Sequence, residues 1–446
     1  MLAQLLAFGI AAVPVPHPVA LGFGSAVLFA AVLAAMTWLT RAKPAAAVFA
    51  IVVCDPYDFA HTLGPTSVTL PKVVLIGAIA GLVLRRASLA TLLDRRARRL
   101  VMGAAGIFAA TALSAIPAEY IDAVARETLK ALQNLATLAT AAVAFAAEPE
   151  DEYVWAGVSV ASVSVCVLAL LQEFTIAPSG VLIHGAIYPR IAGPLEGPNQ
   201  LAGYFDLAIP MLVAGLTRGR YHRVTLAILV LALLTDLLTL SRGSLLGLIP
   251  GVALALALTQ RWNLRELAVA AAAGLTGIVA TGALLLRSGA LTRYASFTEV
   301  DQDNGLATRA VLWSAAVKMW LSDPGLGVGA GNFELQTPSV GLVGVRTHAN
   351  SLYLQSLAEG GVLLFAAVVW TIVSALTTML AARSRGPLVV GIAAATLALG
   401  THELVDYLSF FPKVGGYWWA LLGIGIGALG TAAPPPGTHR AARGND

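Results

Sequence analysis

The chain has 446 residues, of which 58% are hydrophobic and only 12% charged, and its formal net charge is +4. A soluble protein of this size cannot cover so much apolar surface, so the composition excludes a water-exposed globular fold and implies a helical membrane protein in contact with membrane lipids. The small positive charge sits mostly in short loops between apolar runs and gives no ground for a nucleic-acid partner.

A helix crossing a hydrocarbon layer of about 30 Å needs about 20 apolar residues. Such runs recur near residues 20–40, 45–60, 71–86, 100–117, 124–147 and 153–173. They continue near 198–217, 224–240, 243–259, 265–287, 352–381, 387–405 and 415–431. The expected fold is therefore all-α, a polytopic bundle of about twelve or thirteen spans with one large external loop containing short helices. Residues 1–13 read as a short span or a half-inserted helix. They lack the basic n-region of a cleavable signal peptide. The organisation expected is N-terminal membrane helices over 1–287, the external loop over 288–350, C-terminal membrane helices over 351–431, and a disordered cytoplasmic tail over 432–446.

Basic residues set the orientation. Arg85, Arg86, Arg95, Arg96, Arg98 and Arg99 crowd one short loop, which is expected in the cytoplasm. Alternation then puts the loops with Arg218, Arg220 and Arg223, with Arg261 and Arg265, and with Arg383 and Arg385 on the same side. Three polar regions fall outside: roughly 174–197, 288–350 and 402–414. Cys54 and Cys166 lie in or beside apolar spans without metal-ligand spacing, and suggest neither a disulfide framework nor a zinc site.

Arginines on the outside run against the charge rule. Arg190 lies in Tyr188-Pro189-Arg190-Ile191, shortly before Pro198-Asn199 at the start of a span. Arg242 lies in a tight turn, Ser241-Arg242-Gly243, between two apolar runs. Arg309 falls in an amphipathic helix expected from Leu306 to Leu321 and stopped by Asp323-Pro324-Gly325. Singly, they could snorkel, cap helix carbonyls or be solvated; together they suggest an anion site, because guanidinium groups bind phosphate oxygens through paired donors.

His348 ends the long polar interval, with Asn350 or Ser351 a good N-cap for the helix that follows. The positive end of that helix and nearby arginines would keep the imidazole neutral and available as a base near pH 7. The competing reading is an interfacial histidine bonded to its loop. Gln355 and Glu359 fall about two and three turns further on roughly the same face, placed to orient a sugar or brace a neighbouring helix. Asp301-Gln302-Asp303 has the spacing of some metal-binding glycosyltransferase motifs, but such triplets are common accidents in polar loops. Asp55 and Asp58 lie in the first external loop. Gly327, Gly329 and Gly331 alternate as in a dinucleotide loop but lack its strand–helix context, so they read as a turn bringing the loop backbone close to the membrane.

The ordered set of Pro198-Asn199, Thr239-Leu240-Ser241-Arg242-Gly243, Gly327-Val328-Gly329-Ala330-Gly331-Asn332-Phe333, His348-Ala349-Asn350, Leu352-Tyr353-Leu354-Gln355 and Ala358-Glu359-Gly360 resembles the O-antigen ligase and polymerase superfamily of bacterial inner-membrane glycosyltransferases. The resemblance covers roughly residues 185–370. It implies transfer of a glycan from undecaprenyl pyrophosphate at the periplasmic face; for a ligase the acceptor is a sugar hydroxyl of the lipid A–core oligosaccharide of lipopolysaccharide. His348 would correspond to the family's loop histidine, the base on the acceptor. Arg242 and Arg309 would correspond to the arginines holding the pyrophosphate, with Arg190 a further candidate. Asn199, Arg346, Asn350, Tyr353 and Gln355 are expected to contact pyrophosphate or sugar. Fixed arginines can stabilise the leaving pyrophosphate, so the expected mechanism is inverting, with no metal and no cofactor.

A polymerase, or transfer to a protein side chain, uses the same donor chemistry. The short tail after residue 431 favours a ligase over a protein-directed enzyme, which often carries a longer C-terminal domain in this superfamily. A secondary transporter of an anionic substrate is a third reading, kept open by Asp236, His402, Glu403 and Asp406.

Overall fold

The computed structural model describes residues 18–57, 60–63, 66–175, 179–183, 186–259 and 305–430. Residues 1–13, the apolar run at 265–287, Asp58, Asp301-Gln302-Asp303 and the tail lie outside the described residues. In chain order the helices begin with α1 (Pro18–Ala42), α2 (Pro44–Cys54), α3 (Leu70–Arg85), α4 (Arg98–Leu113), α5 (Ile121–Ala147) and α6 (Asp151–Thr175). There follow α7 (Pro198–Gly215), α8 (His222–Leu238), α9 (Arg242–Leu258), α10 (Gly305–Ser322), α11 (Leu352–Ala381), α12 (Pro387–His402) and α13 (Pro412–Gly430). Among the described residues, Ile121–Ala147, Asp151–Gln172 and Leu352–Ala381 are long and apolar enough to cross a membrane, and several shorter apolar helices accompany them. The protein is a multi-pass membrane protein.

Two antiparallel hairpins depart from the all-α expectation: β1 (Ala60–Leu63) with β2 (Thr66–Thr69), and β3 (Ser179–Ile183) with β4 (Ala186–Arg190). Both occupy polar connections between helices. Stretches such as Thr66-Ser67-Val68-Thr69 favour extended backbone, and strand pairing satisfies their peptide groups. The second hairpin pairs Ser179 with Arg190 and so fixes where that arginine leaves the strand.

Small residues bring the helices together, as expected where lipid gives no hydrophobic drive for association. Gly243, Gly247 and Gly251 of α9 form a stripe that presses on His402, Ala398 and Ala394 of α12. A Cβ on Gly247 would sit 2.5 Å from the Ala398 carbonyl oxygen, and one on Gly251 2.6 Å from the Ala398 Cβ. Gly423 and Gly427 of α13 lie likewise against the Leu138 and Ala142 carbonyls of α5. Loops expected on the cytoplasmic side meet one another: Lys43 Nζ lies 3.6 Å from Glu150, and Arg218 pairs with Glu152.

The long helix α11 is broken at Gly361, whose backbone (φ 60°, ψ −160°) is not helical. The loop after α10 docks on that break. Val328 N–H donates to the Ala358 carbonyl at 2.8 Å, Gly329 N–H to the Glu359 carbonyl at 3.0 Å, and Val362 N–H to the Pro324 carbonyl at 2.9 Å. Gly327, Gly329 and Gly331 all have positive φ, and a Cβ on Gly327 would lie 2.5 Å from the Ala358 carbonyl oxygen. The glycine repeat is a turn, as read from the sequence, but what it brings the loop backbone close to is the break in α11.

Candidate active site at one end of the helices

The described parts of the three external polar regions converge with the turn between α8 and α9, and the arginines lie there. Arg190 Nε donates to the Thr239 carbonyl at 2.6 Å, and its other donor reaches Asn199 Oδ1 at 2.6 Å. Asn199 Nδ2 in turn donates to Asp406 Oδ2 at 2.7 Å. Arg309 meets the same carboxylate oxygen at 3.2 Å. Arg242 opens α9, directly after Leu240 in the left-handed region (φ 52°) and after Ser241, whose hydroxyl accepts the Ser244 N–H. Burial first, and then the charge of Arg309, disfavour the Arg242 guanidinium, so the two cations lie within electrostatic reach of each other. Arg309 directly, and Arg190 through Asn199, thus gather on Asp406, with Arg242 near Arg309, a cationic group suited to phosphate oxygens.

His348 lies beside this group. Its Nδ1 is 3.1 Å from Glu334 Oε1, and its ring packs on Phe410 and Tyr407 at centroid distances of 4.5 and 5.3 Å. Burial holds the imidazole below its ordinary value of 6.5, against the opposing pull of Glu334. The neutral ring expected from the sequence is therefore favoured, with burial rather than the helix end as the main cause. Ser351, not Asn350, is the N-cap of α11: its side chain accepts the Leu354 N–H. Leu352 N–H shares the Glu403 and Asp406 carbonyls at 3.0 and 2.9 Å, which locks the start of α11 onto the 403–406 turn. Asp406 faces the arginines and the next residue, Tyr407, faces His348, so two residues couple the two halves of the site.

The expected sugar contacts divide. Gln355 and Glu359 form a brace: Gln355 Oε1 accepts the Ala349 N–H at 2.7 Å, its amide donates to Glu359 Oε1 at 2.9 Å, and that oxygen also accepts the Phe333 N–H at 3.2 Å. The brace ties the strand holding His348 to the turn holding Glu334. Tyr353 donates its hydroxyl to the Gly400 carbonyl at 2.7 Å, and the Asn350 carbonyl accepts from Trp313 Nε1 at 3.4 Å. Gln355 and Tyr353 face neighbouring elements of the protein, while Arg346 is exposed at the rim near Tyr120.

Sequence reasoning missed Glu334 and did not assign Asp406 to the site. Glu334 precedes His348 by a loop with no periodic spacing, and only the turn built on Asn332 brings it back. The Asn332 amide accepts the Tyr120 N–H at 2.9 Å and donates to the Tyr120 and Ala330 carbonyls at 3.2 Å each. The groups that kept a transporter open have internal partners: Asp206 holds His402 Nδ1 at 2.5 Å, Asp236 accepts from Ser244, and Glu403 accepts the Leu408 and Ser409 N–H groups. Among the described residues, no three His, Cys, Asp or Glu side chains are grouped to hold a metal ion.

A partly buried histidine–carboxylate pair thus stands beside an arginine cluster on a multi-pass helical scaffold. Residues 227–369 match the model of the domain family described as O-antigen ligase. No curated protein matches the chain. The domain implies glycan transfer in the membrane, of ligase or polymerase type, on lipid-linked glycans. Arg242, Arg309, Glu334 and His348 fall inside the matched stretch, whereas Arg190, Asn199 and Asp406 lie outside it and reach the site only through the fold.

Proposed function

We propose that the protein is an O-antigen ligase of the bacterial inner membrane. It moves a glycan from undecaprenyl pyrophosphate to a sugar hydroxyl of lipid A–core at the periplasmic face. The observation that supports this reading is the junction at Asp406-Tyr407, where Asp406 meets Arg309 and the adjacent Tyr407 ring packs on His348.

With its proton on Nδ1, directed at Glu334, His348 leaves Nε2 free to accept the acceptor proton. The acceptor oxygen then bonds to the anomeric carbon as the bond from that carbon to the pyrophosphate oxygen breaks. The electron pair leaves on pyrophosphate, and Arg242 and Arg309 stabilise the added charge. Attack from the face opposite the leaving group inverts the anomeric centre. In this reading the arginines carry the leaving charge without a divalent ion; activity lost in chelator and regained with magnesium would overturn that part.

Complementation tests the whole. Cells lacking the gene should still make carrier-linked polymer but leave lipid A–core uncapped; this chain should restore capping and His348→Ala should not. Restored chain length on cores that carry only single units would instead make the protein a polymerase.

A further inference from the structure

A second polar feature lies next to His348 and shares no residue with the arginine group. A cleft runs between α4, α5, α11 and α13, and its wall near the site is formed by Tyr407 and Phe410, the rings that pack on His348. On the other side of Phe410, Lys130 Nζ stands 3.8 Å from the ring centroid and 2.7 Å from Glu127 Oε1. Glu127, Lys130 and Asn134 are spaced three and four residues apart, so α5 offers one face carrying a carboxylate, an ammonium and an amide. Ser356 and Ser409 add hydroxyls across the cleft, and Trp418 and Trp419 add aromatic surface.

Donors and acceptors of both kinds beside aromatic faces match a hydroxyl-rich ring, which presents polar edges and apolar C–H faces. The rest of the lining is aliphatic: Ile107, Leu135, Leu364 and Val368. Beside them, Leu129, Leu132, Val362 and Leu363 are exposed on the outside of the same helices, a surface suited to lipid. The lining thus combines polar and aromatic groups, Tyr407 and Phe410 of them against His348, with aliphatic ones, on helices whose outer faces carry apolar side chains suited to lipid. That is the chemistry of a glycolipid lying along the helices with its sugar toward His348.

We propose that this cleft binds the acceptor glycolipid, with Lys130, Glu127 and Asn134 reading its sugar while the arginines hold the donor. The assignment rests on the transfer reaction proposed above. It gives the two lipid substrates separate approaches, the donor by way of Asp406 and the acceptor by way of Phe410, with His348 between them. Lys130 is a binding residue for the acceptor and plays no part in holding the pyrophosphate.

The test uses the full-length protein in lipid nanodiscs, with undecaprenyl-pyrophosphate-linked glycan and purified lipid A–core each varied against a saturating level of the other. The pH is held at about 8, above the titration of His348, so that loss of the Lys130 charge does not act through the base. Lys130→Met and Asn134→Leu should each raise the acceptor KM about tenfold or more, the loss expected for one hydrogen bond to a charged group or for a blocked subsite, and leave the donor KM unchanged. Lys130→Arg should recover most of the acceptor affinity. A rise in donor KM with acceptor KM unchanged would assign the cleft to the donor and overturn the proposal. Normal constants for both substrates in both variants would remove the cleft from the reaction. No transfer by the unmodified chain would instead sink the ligase reading itself.

Discussion

Glu334→Gln keeps the size of the side chain and removes the charge facing His348. The carboxylate oxygen lies 3.1 Å from Nδ1, with 18% of the His348 side chain and 36% of Glu334 exposed. In the proposed mechanism, taking the acceptor proton turns His348 into an imidazolium, and Glu334 would then stabilise the transition state more than the resting enzyme. A hydrogen bond to a charged group contributes about 1.5–3 kcal/mol, and the exposure of Glu334 moves the loss toward the lower end. At about 1.4 kcal/mol per tenfold, kcat should fall about tenfold to thirtyfold. The pH profile adds an independent sign. His348 must be neutral to act, so activity rises with pH through its pKa. Burial already holds that pKa below 6.5 and Glu334 opposes the shift. Without the carboxylate it falls further, so the acid limb of kcat/KM moves to lower pH even as the plateau drops. Initial rates of transfer to lipid A–core, followed from about pH 5 to 8.5, read both effects. An unchanged plateau, or a limb moved to higher pH, would refute the pairing of Glu334 with a catalytic base.

Arg309→Lys should keep the charge but lose the forked donors, so transfer should drop well below wild type without the donor being released; normal rates would reduce the clamp to a general charge effect. Asp406→Asn leaves Arg309 without its carboxylate and weakens the link through Asn199 to Arg190. It should lower the melting temperature in detergent by the equivalent of about 3 kcal/mol and raise donor KM; unchanged melting would show that Asp406 is not the keystone of the cluster. Gly247→Ala puts a methyl against the Ala398 carbonyl at 2.5 Å and should cost about 1–3 kcal/mol of stability, read as earlier thermal unfolding. A neutral result there would mean that α9 and α12 can separate without strain.

Several apolar helices were legible from length and hydropathy, although among the described residues only three are long and apolar enough to cross a membrane, against the twelve or thirteen spans expected. The run read at 352–381 is the helix Leu352–Ala381, and the amphipathic stretch at 306–321 is the helix Gly305–Ser322. Arg190, Arg242 and Arg309 stood out because arginine on the side expected to be external runs against a simple topological rule, and His348 because it ends the long polar interval before a helix. Local chemistry also identified the α11 cap and the glycine turn. What stayed hidden depends on contacts distant in sequence. Nothing near Glu334 marks it as the partner of His348, and Asp406 read as a transporter-like acid until the fold set Arg309 and Asn199 on it. Tyr353 and Gln355 share the segment of the histidine, yet their side chains are committed to Gly400, Ala349 and Glu359. The hairpins were missed because short polar loops carry too little periodicity to separate strand from coil. Lys130 was passed over because a lysine on a long helix reads as an ordinary surface charge until Phe410 is placed beneath it.

The break at Gly361 bears on how deep in the bilayer the chemistry takes place. An unbroken helix of 30 residues would be about 45 Å long, well beyond a hydrocarbon core of about 30 Å, and would have to tilt steeply. Divided at Gly361, the part from Val362 to Ala381 is about 30 Å long and matches the core by itself. The part before the break is then released from the hydrophobic match and can follow the loop docked on it through Pro324 and Val328. On this division, His348 and its brace are expected to keep their geometry when bilayer thickness changes, with the adjustment falling on the segment after Gly361. Catalysis in thinner or thicker membranes should vary with substrate delivery rather than with the alignment of the base.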